Sequence, residues 1–130
     1  MAVGVLTGYT MDAVSGIGVG TLTADGTPAA CSIFCGFTPR RVEMVQTSGT
    51  VGNAAFTSAD STMTTDYCIQ TTAAGVTTIV TSNGFKFLTG SEAAPAAKAT
   101  GSPNSSGPGV TIGTVPQTTA SAAYRITIYR

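Results

Sequence analysis

The chain has 130 residues, with six basic and six acidic side chains and no histidine, so its formal net charge is zero. Only 9% of residues are charged, against about 25% in ordinary soluble domains. No histidine means no Ser-His-Asp or Cys-His arrangement within one chain, and six scattered basic residues make no nucleic-acid footprint.

At this length one compact domain is expected. Threonine and valine favour pleated chain, while sixteen glycines and six prolines interrupt every helical candidate before three turns. The best of them, Ala93 to Thr100, carries Pro95 inside it. No run is long and apolar enough to span a membrane as a helix. Met1 to Val5 lacks the basic start of a secretory signal. Scarce charge favours association over a free life as a small secreted domain with a threonine-rich surface, because little repulsion opposes contact.

In chain order, residues 1–20 are small, apolar and glycine-punctuated, with Asp12 their single charge. Fully extended they would reach about 66 Å, well beyond one domain radius. The expectation is an extended N-terminal arm lying on a partner, with residues 21–130 as the β-rich domain. Its apolar residues Met1, Val3, Val5, Leu6, Tyr9, Met11, Ile17 and Val19 are the interface candidates, and deletion of residues 2–20 is expected to leave the domain folded. Gly16, Gly18 and Gly20 spell GxGxG, but no strand–turn–helix unit follows, so a dinucleotide site fails its context.

Gly20 to Ala24 alternates weakly, and Asp25-Gly26 signals a two-residue turn. Pro28 opens a strand in which Cys31, Ile33, Cys35 and Phe37 share a face, and Phe37-Thr38-Pro39-Arg40 reads as a turn. Arg41 to Gln46 sets Val42 and Met44 against Glu43 and Val45, with both faces partly buried. Arg40 and Arg41 either cap this strand in solvent or pair with acidic groups of a partner, and both join the interface candidates.

After a turn cluster at Thr47 to Gly52, short strands are expected at Ala54 to Ser58, Asp66 to Thr71 and Val76 to Thr81. Asp60 and Asp66 flank a Ser/Thr-rich segment and read as solvated turn acids rather than as a catalytic pair. Ser82-Asn83-Gly84 is the most specific turn signal, followed by an aromatic strand to Leu88. Thr89 to Pro108 is a long Ala/Ser/Gly/Pro loop, functional or disordered by its length. Its Asn104-Ser105-Ser106 matches a glycosylation acceptor only by chance without a signal peptide. Gly109 to Val115 and Ala122 to Arg130 close the chain, the latter with Tyr124, Ile126 and Ile128 on one face. About seven or eight short strands predict an all-β fold: a single antiparallel sandwich or barrel-like domain.

Cys31 and Cys35 lie about 13 Å apart along one strand, too far to bridge without a sharp bend. Cys68 can reach one of them only across a sheet. Free buried thiols are the leading reading, ahead of a Cys68 disulfide or an intermolecular bridge. With no histidine as fourth ligand, no zinc site is expected, and no cofactor, nucleic-acid or membrane partner is expected either.

Cys35-Gly36-Phe37-Thr38-Pro39-Arg40-Arg41-Val42-Glu43-Met44-Val45 resembles a GF-x-P-R-x-V strand opening found in many small structural proteins of tailed bacteriophages. Thr81 to Phe85, Gly109 to Thr114 and Tyr124 to Arg130 are similar to segments that recur there in the same order. The resemblance covers roughly residues 30 to 130, while the N-terminal segment and the long loop depart from it. It implies a non-enzymatic virion component, assembled in the host cytoplasm. A capsid decoration (cement) protein bound to the major capsid protein is expected, with a fibre- or spike-associated receptor-binding module as the alternative. A homo-oligomer, a trimer by preference, is expected with it.

Overall fold

The computed structural model describes residues 3–50 and 55–130. The described chain is all-β, with ten strands and one 3-10 turn at Val115–Gln117. In chain order the strands are β1 (Val5–Asp12), β2 (Ile17–Thr23), β3 (Cys31–Ile33), β4 (Arg41–Gln46) and β5 (Phe56–Asp60). They continue as β6 (Cys68–Thr71), β7 (Thr77–Val80), β8 (Phe85–Leu88), β9 (Gly109–Ile112) and β10 (Ala123–Tyr129). They make two open antiparallel sheets: seven strands in the order β1-β2-β10-β4-β5-β6-β7, and three in the order β3-β9-β8. The seven or eight strands expected from the pattern become ten, because the N-terminal segment supplies two.

Alternation along β2, β4 and β10 explains most of the core. Leu22 of β2, Tyr124, Ile126 and Ile128 of β10, and Val42 and Met44 of β4 turn inward at period two. They meet Cys31, Ile33, Phe85, Val110 and Ile112 of the smaller sheet in one continuous apolar cluster. The last strand of the chain sits between β2 and β4. The N-terminal hairpin is therefore joined to the rest of the large sheet only through β10.

The extended arm is overturned. Residues 5–12 and 17–23 are β1 and β2, a hairpin whose second strand pairs directly with β10. Asp12 makes the corner: its Oδ1 accepts from Val14 N at 2.8 Å and Ser15 N at 3.3 Å, and Gly16 completes the turn at φ +73°. Those two donors hold the Asp12 carboxyl below its usual pKa. The division at residue 20 therefore cuts through β2, and deleting residues 2–20 removes sheet rather than a tail. What concealed the strands was glycine. Gly18 and Gly20 form a slot for the Tyr9 ring, and a Cβ at Gly18 would stand 2.2 Å from the Tyr9 hydroxyl oxygen. The glycine string thus seats an aromatic ring.

The long loop is tied down as well. Residues 96–104 run between the open edges of β1 and β3 and bond to both. Leu6 N donates to Thr100 O at 2.6 Å and Thr100 N to Gly4 O at 3.1 Å. On the other side, Ser32 N donates to Ala97 O and Ala99 N to Ser32 O, each at 2.8 Å. Ser102 Oγ accepts from Phe34 N at 2.9 Å, and Asn104 Nδ2 donates to Phe34 O at 2.9 Å. Ala99, fully buried, is the strap's apolar anchor.

One turn and one strand reading need adjustment. Asn83 has the positive φ that Asn-Gly allows, +58°, but β7 and β8 lie in different sheets, so the turn is a crossover and not a hairpin. The strand expected over Pro28 to Phe37 shortens to Cys31–Ile33, followed by a single bridge from Phe34 to Asn104. The expected strand start at Ala54 and the end of the turn at Gly52 lie outside the described residues.

Candidate docking face and sheet edges

One face of the seven-stranded sheet covers the core, and the other carries the alternate residues. Register sets them in rows across the strands. One row runs Val19, Thr127, Glu43, Ser58, Ile69, Ile79, and the next runs Thr21, Arg125, Val45, Phe56, Thr71, Thr77. The face is thus mainly threonine and aliphatic, with Arg125 exposed on β10 and Arg41 and Glu43 together at the start of β4. There Arg41 pairs with Glu43 at 3.5 Å, and the Tyr129 hydroxyl donates to Glu43. That bond raises the Tyr129 pKa, because the carboxylate acceptor favours the protonated phenol.

The interface candidates separate on this frame. Met1 lies outside the described residues. Leu6 is buried opposite Leu22, since pairing with β2 turns it into the core, and it is corrected from surface to core. Val3 and Tyr9 are half-buried against the same cluster. Met11 and Ile17 are half-buried at the far end of the hairpin, while Val5 and Val19 are exposed. Arg41 is engaged with Glu43, and Arg40 is exposed. What sequence reasoning missed is at the opposite end of the sheet: Val76 and Ile79 beside and within β7 are 55% and 67% exposed. The signal was present as a stretch without any charged residue from Tyr67 to Phe85.

Nothing among the described residues gathers three acidic or thiol groups into a metal-binding set. Asp60 turns its carboxylate onto its own loop, accepting from the Thr62 hydroxyl and from Thr62 N at 2.9 Å, and this lowers its pKa. A cleft of about 240 Å³ opens beside it, lined by Met63, Thr64, Tyr67 and Phe87 among others. It is smaller than the usual small-molecule site of about 300–1,000 Å³.

The three cysteines are free, with Cys31 and Cys68 fully buried and Cys35 half-buried. Burial pushes the Cys31 and Cys68 thiols up to about 11 and the Tyr9 phenol up to about 12. All three pKa values are raised by folding, so their stabilisation is complete below the unfolded values and is lost as pH rises through the folded ones. Stability to urea is therefore expected to hold up to about pH 8 and to decline from about pH 9 towards 12. Alkylation at pH 8 should modify Cys35 first and reach Cys31 and Cys68 only on unfolding. Urea midpoints across pH, with mass spectrometry of the alkylated protein, measure both.

No protein family, curated protein or solved structure matches the chain.

Proposed function

We propose that this chain is a structural subunit of a tailed-phage virion, a capsid decoration protein that binds the outside of the shell and stabilises it. In this reading the two sheets form a sandwich, and the protein works as a homo-oligomer on the major capsid protein. The observation that carries the reading is the outer face of the seven-stranded sheet. It is broad, built of strands and rich in threonine and aliphatic side chains, and part of its charge is already matched within the chain by the Arg41–Glu43 pair. Its uncharged stretch over β6 and β7 loses little by desolvation when it is covered, since no charge there has to be stripped of water. The resemblance of Cys35 to Val45 to phage structural proteins points the same way. The mechanism is mechanical: area buried at subunit junctions raises the cost of separating them, and many weak contacts act together.

The test is co-sedimentation of the purified chain with assembled tailed-phage capsid shells, followed by heating. Binding with a higher rupture temperature is the expected result. Failure to bind shells overturns the reading.

A second reading, a fibre- or spike-associated module that binds a host surface glycan, is favoured by one observation. The cleft beside Asp60 brings Tyr67 and Phe87 together with threonine hydroxyls, the mixture of ring faces and polar groups that sugars stack and bond on. Glycan binding lost in Tyr67→Ala would support it.

A further inference from the structure

The two sheets have four edges, and three of them carry a device that prevents pairing with another chain. The β1 edge bonds to the strap at Thr100, bulges between Thr7 and Thr10 around Gly8, and ends in Asp12. The β3 edge is filled by Ala97 and Ala99. The β8 edge is bonded by Asp66 and Tyr67 at Phe85 and carries Lys86. Covering segments, bulges and charges are the usual protections of a sheet edge.

The β7 edge has none of these among the described residues. It is four residues, Thr77–Val80, with Val76 before it, all strand-forming, without a proline or a charge. Its pairing with β6 fixes which groups are free. Thr72 N donates to Val76 O at 3.0 Å, so hydrogen-bonded pairs fall at alternate positions, and the N–H and C=O groups of Thr77 and Ile79 point to the open side.

We propose that β7 pairs antiparallel with β7 of a second copy about a twofold axis at Thr78, joining two seven-stranded sheets into one. Three features select a second copy. The edge is charge-free from Tyr67 to Phe85, so a symmetric contact places no like charges opposite one another. Centring on Thr78 sets Thr77 against Ile79 of the other copy and Val76 against Val80, which satisfies the outward backbone groups of both strands. Direction supplies the third. With every neighbour antiparallel along seven strands, β1 and β7 run the same way, so a head-to-tail chain of copies would need a parallel join onto the guarded β1 edge. Only the twofold join keeps the antiparallel pattern, and it closes at two copies. The edge thus supports a dimer, not a trimer, and it stands whether or not the protein decorates a shell.

A contact of five residues per strand is small, so the dimer belongs to the weak class and is read at high protein concentration. Sedimentation equilibrium of the whole chain, up to about 1 mM, is expected to give a species of twice the 12.9 kDa chain mass. Ile79→Lys, an exposed position, should abolish that species while leaving the circular dichroism spectrum unchanged. Thr78→Cys should form a reducible dimer under mild oxidation, because directly opposed residues bring their α-carbons within disulfide reach. A wild-type chain that stays monomeric at 1 mM, a dimer indifferent to Ile79→Lys, or growth into longer polymers would each overturn the proposal.

Discussion

Gly101→Ala is expected to destabilise the fold by about 3–5 kcal/mol, from strap strain and hydrogen-bond loss together. Gly101 has φ +89°, where an L side chain is strained, and its added Cβ would stand 2.0 Å from the Leu6 carbonyl oxygen. That neighbour is backbone inside β1 and cannot swing aside. The strap must lift, taking with it the Leu6–Thr100 and Thr100–Gly4 bonds and the burial of Ala99. Gly107 is the control: its φ is +103°, but nothing lies within 4 Å of its added Cβ. Gly107→Ala should therefore show the backbone strain alone, about 1 kcal/mol. Thermal unfolding of both variants measures the difference, with Gly101→Ala lower in Tm by roughly 10 °C or more. Equal losses in the two variants would mean that the strap carries no weight at the β1 edge.

The strap and the hairpin are the two places where local sequence concealed the fold, and for related reasons. Strands β4 and β10 were legible because their buried partners are large and alternate: Val42 and Met44, then Tyr124, Ile126 and Ile128. The β1–β2 hairpin alternates too, but its inward positions include Gly18 and Gly20, whose volume is supplied by Tyr9 from across the pair. Hydrophobic periodicity counts side chains in one strand and cannot register a ring borrowed from the neighbour. The strap is harder still, since its fixed points are backbone amides and one alanine. A segment held through its main chain reads as a loop, because any small polar sequence fills it.

The docking surface was only half legible. Low charge led to the expectation of an associating molecule, and the apolar residues at the N-terminus drew attention to the end of the sheet opposite β7. Leu6 and Tyr9 serve the core, and Arg41 is engaged with Glu43 in its own strand. The open end is β7, whose sequence is no more apolar than its neighbours. What sets it apart is topological: β1 and β3 share the strap, β8 has the Asp66–Tyr67 segment, and among the described residues no segment covers β7. That inequality appears only when the strand order is known.

The second large effect is expected at Gln117, a fully buried polar side chain just inside the 3-10 turn. Its Nε2 donates to Ala29 O at 3.1 Å, Ile112 O at 3.3 Å and Gly113 O at 3.0 Å. One amide thus ties the end of β9 to the loop that leads into β3. Gln117→Met keeps the volume but strands those carbonyls, at a cost of about 2–3 kcal/mol. Gln117→Glu is expected to be worse at pH 7, by a further 1–3 kcal/mol or so, because an ionised carboxylate would face three carbonyl oxygens. The sign with pH separates the two. The Glu pKa would be raised in the fold by burial and by those oxygens, so its neutral form is the tolerated one and offers one O–H donor. Stability of Gln117→Glu should therefore rise as pH falls towards 4, relative to Gln117→Met at the same pH. Urea unfolding of the pair at pH 7 and pH 4 decides it. A Glu variant no weaker than Met at pH 7 would show that the site needs volume alone. The reverse order, with partial recovery in acid, fixes donation to Ala29, Ile112 and Gly113 as what Gln117 contributes.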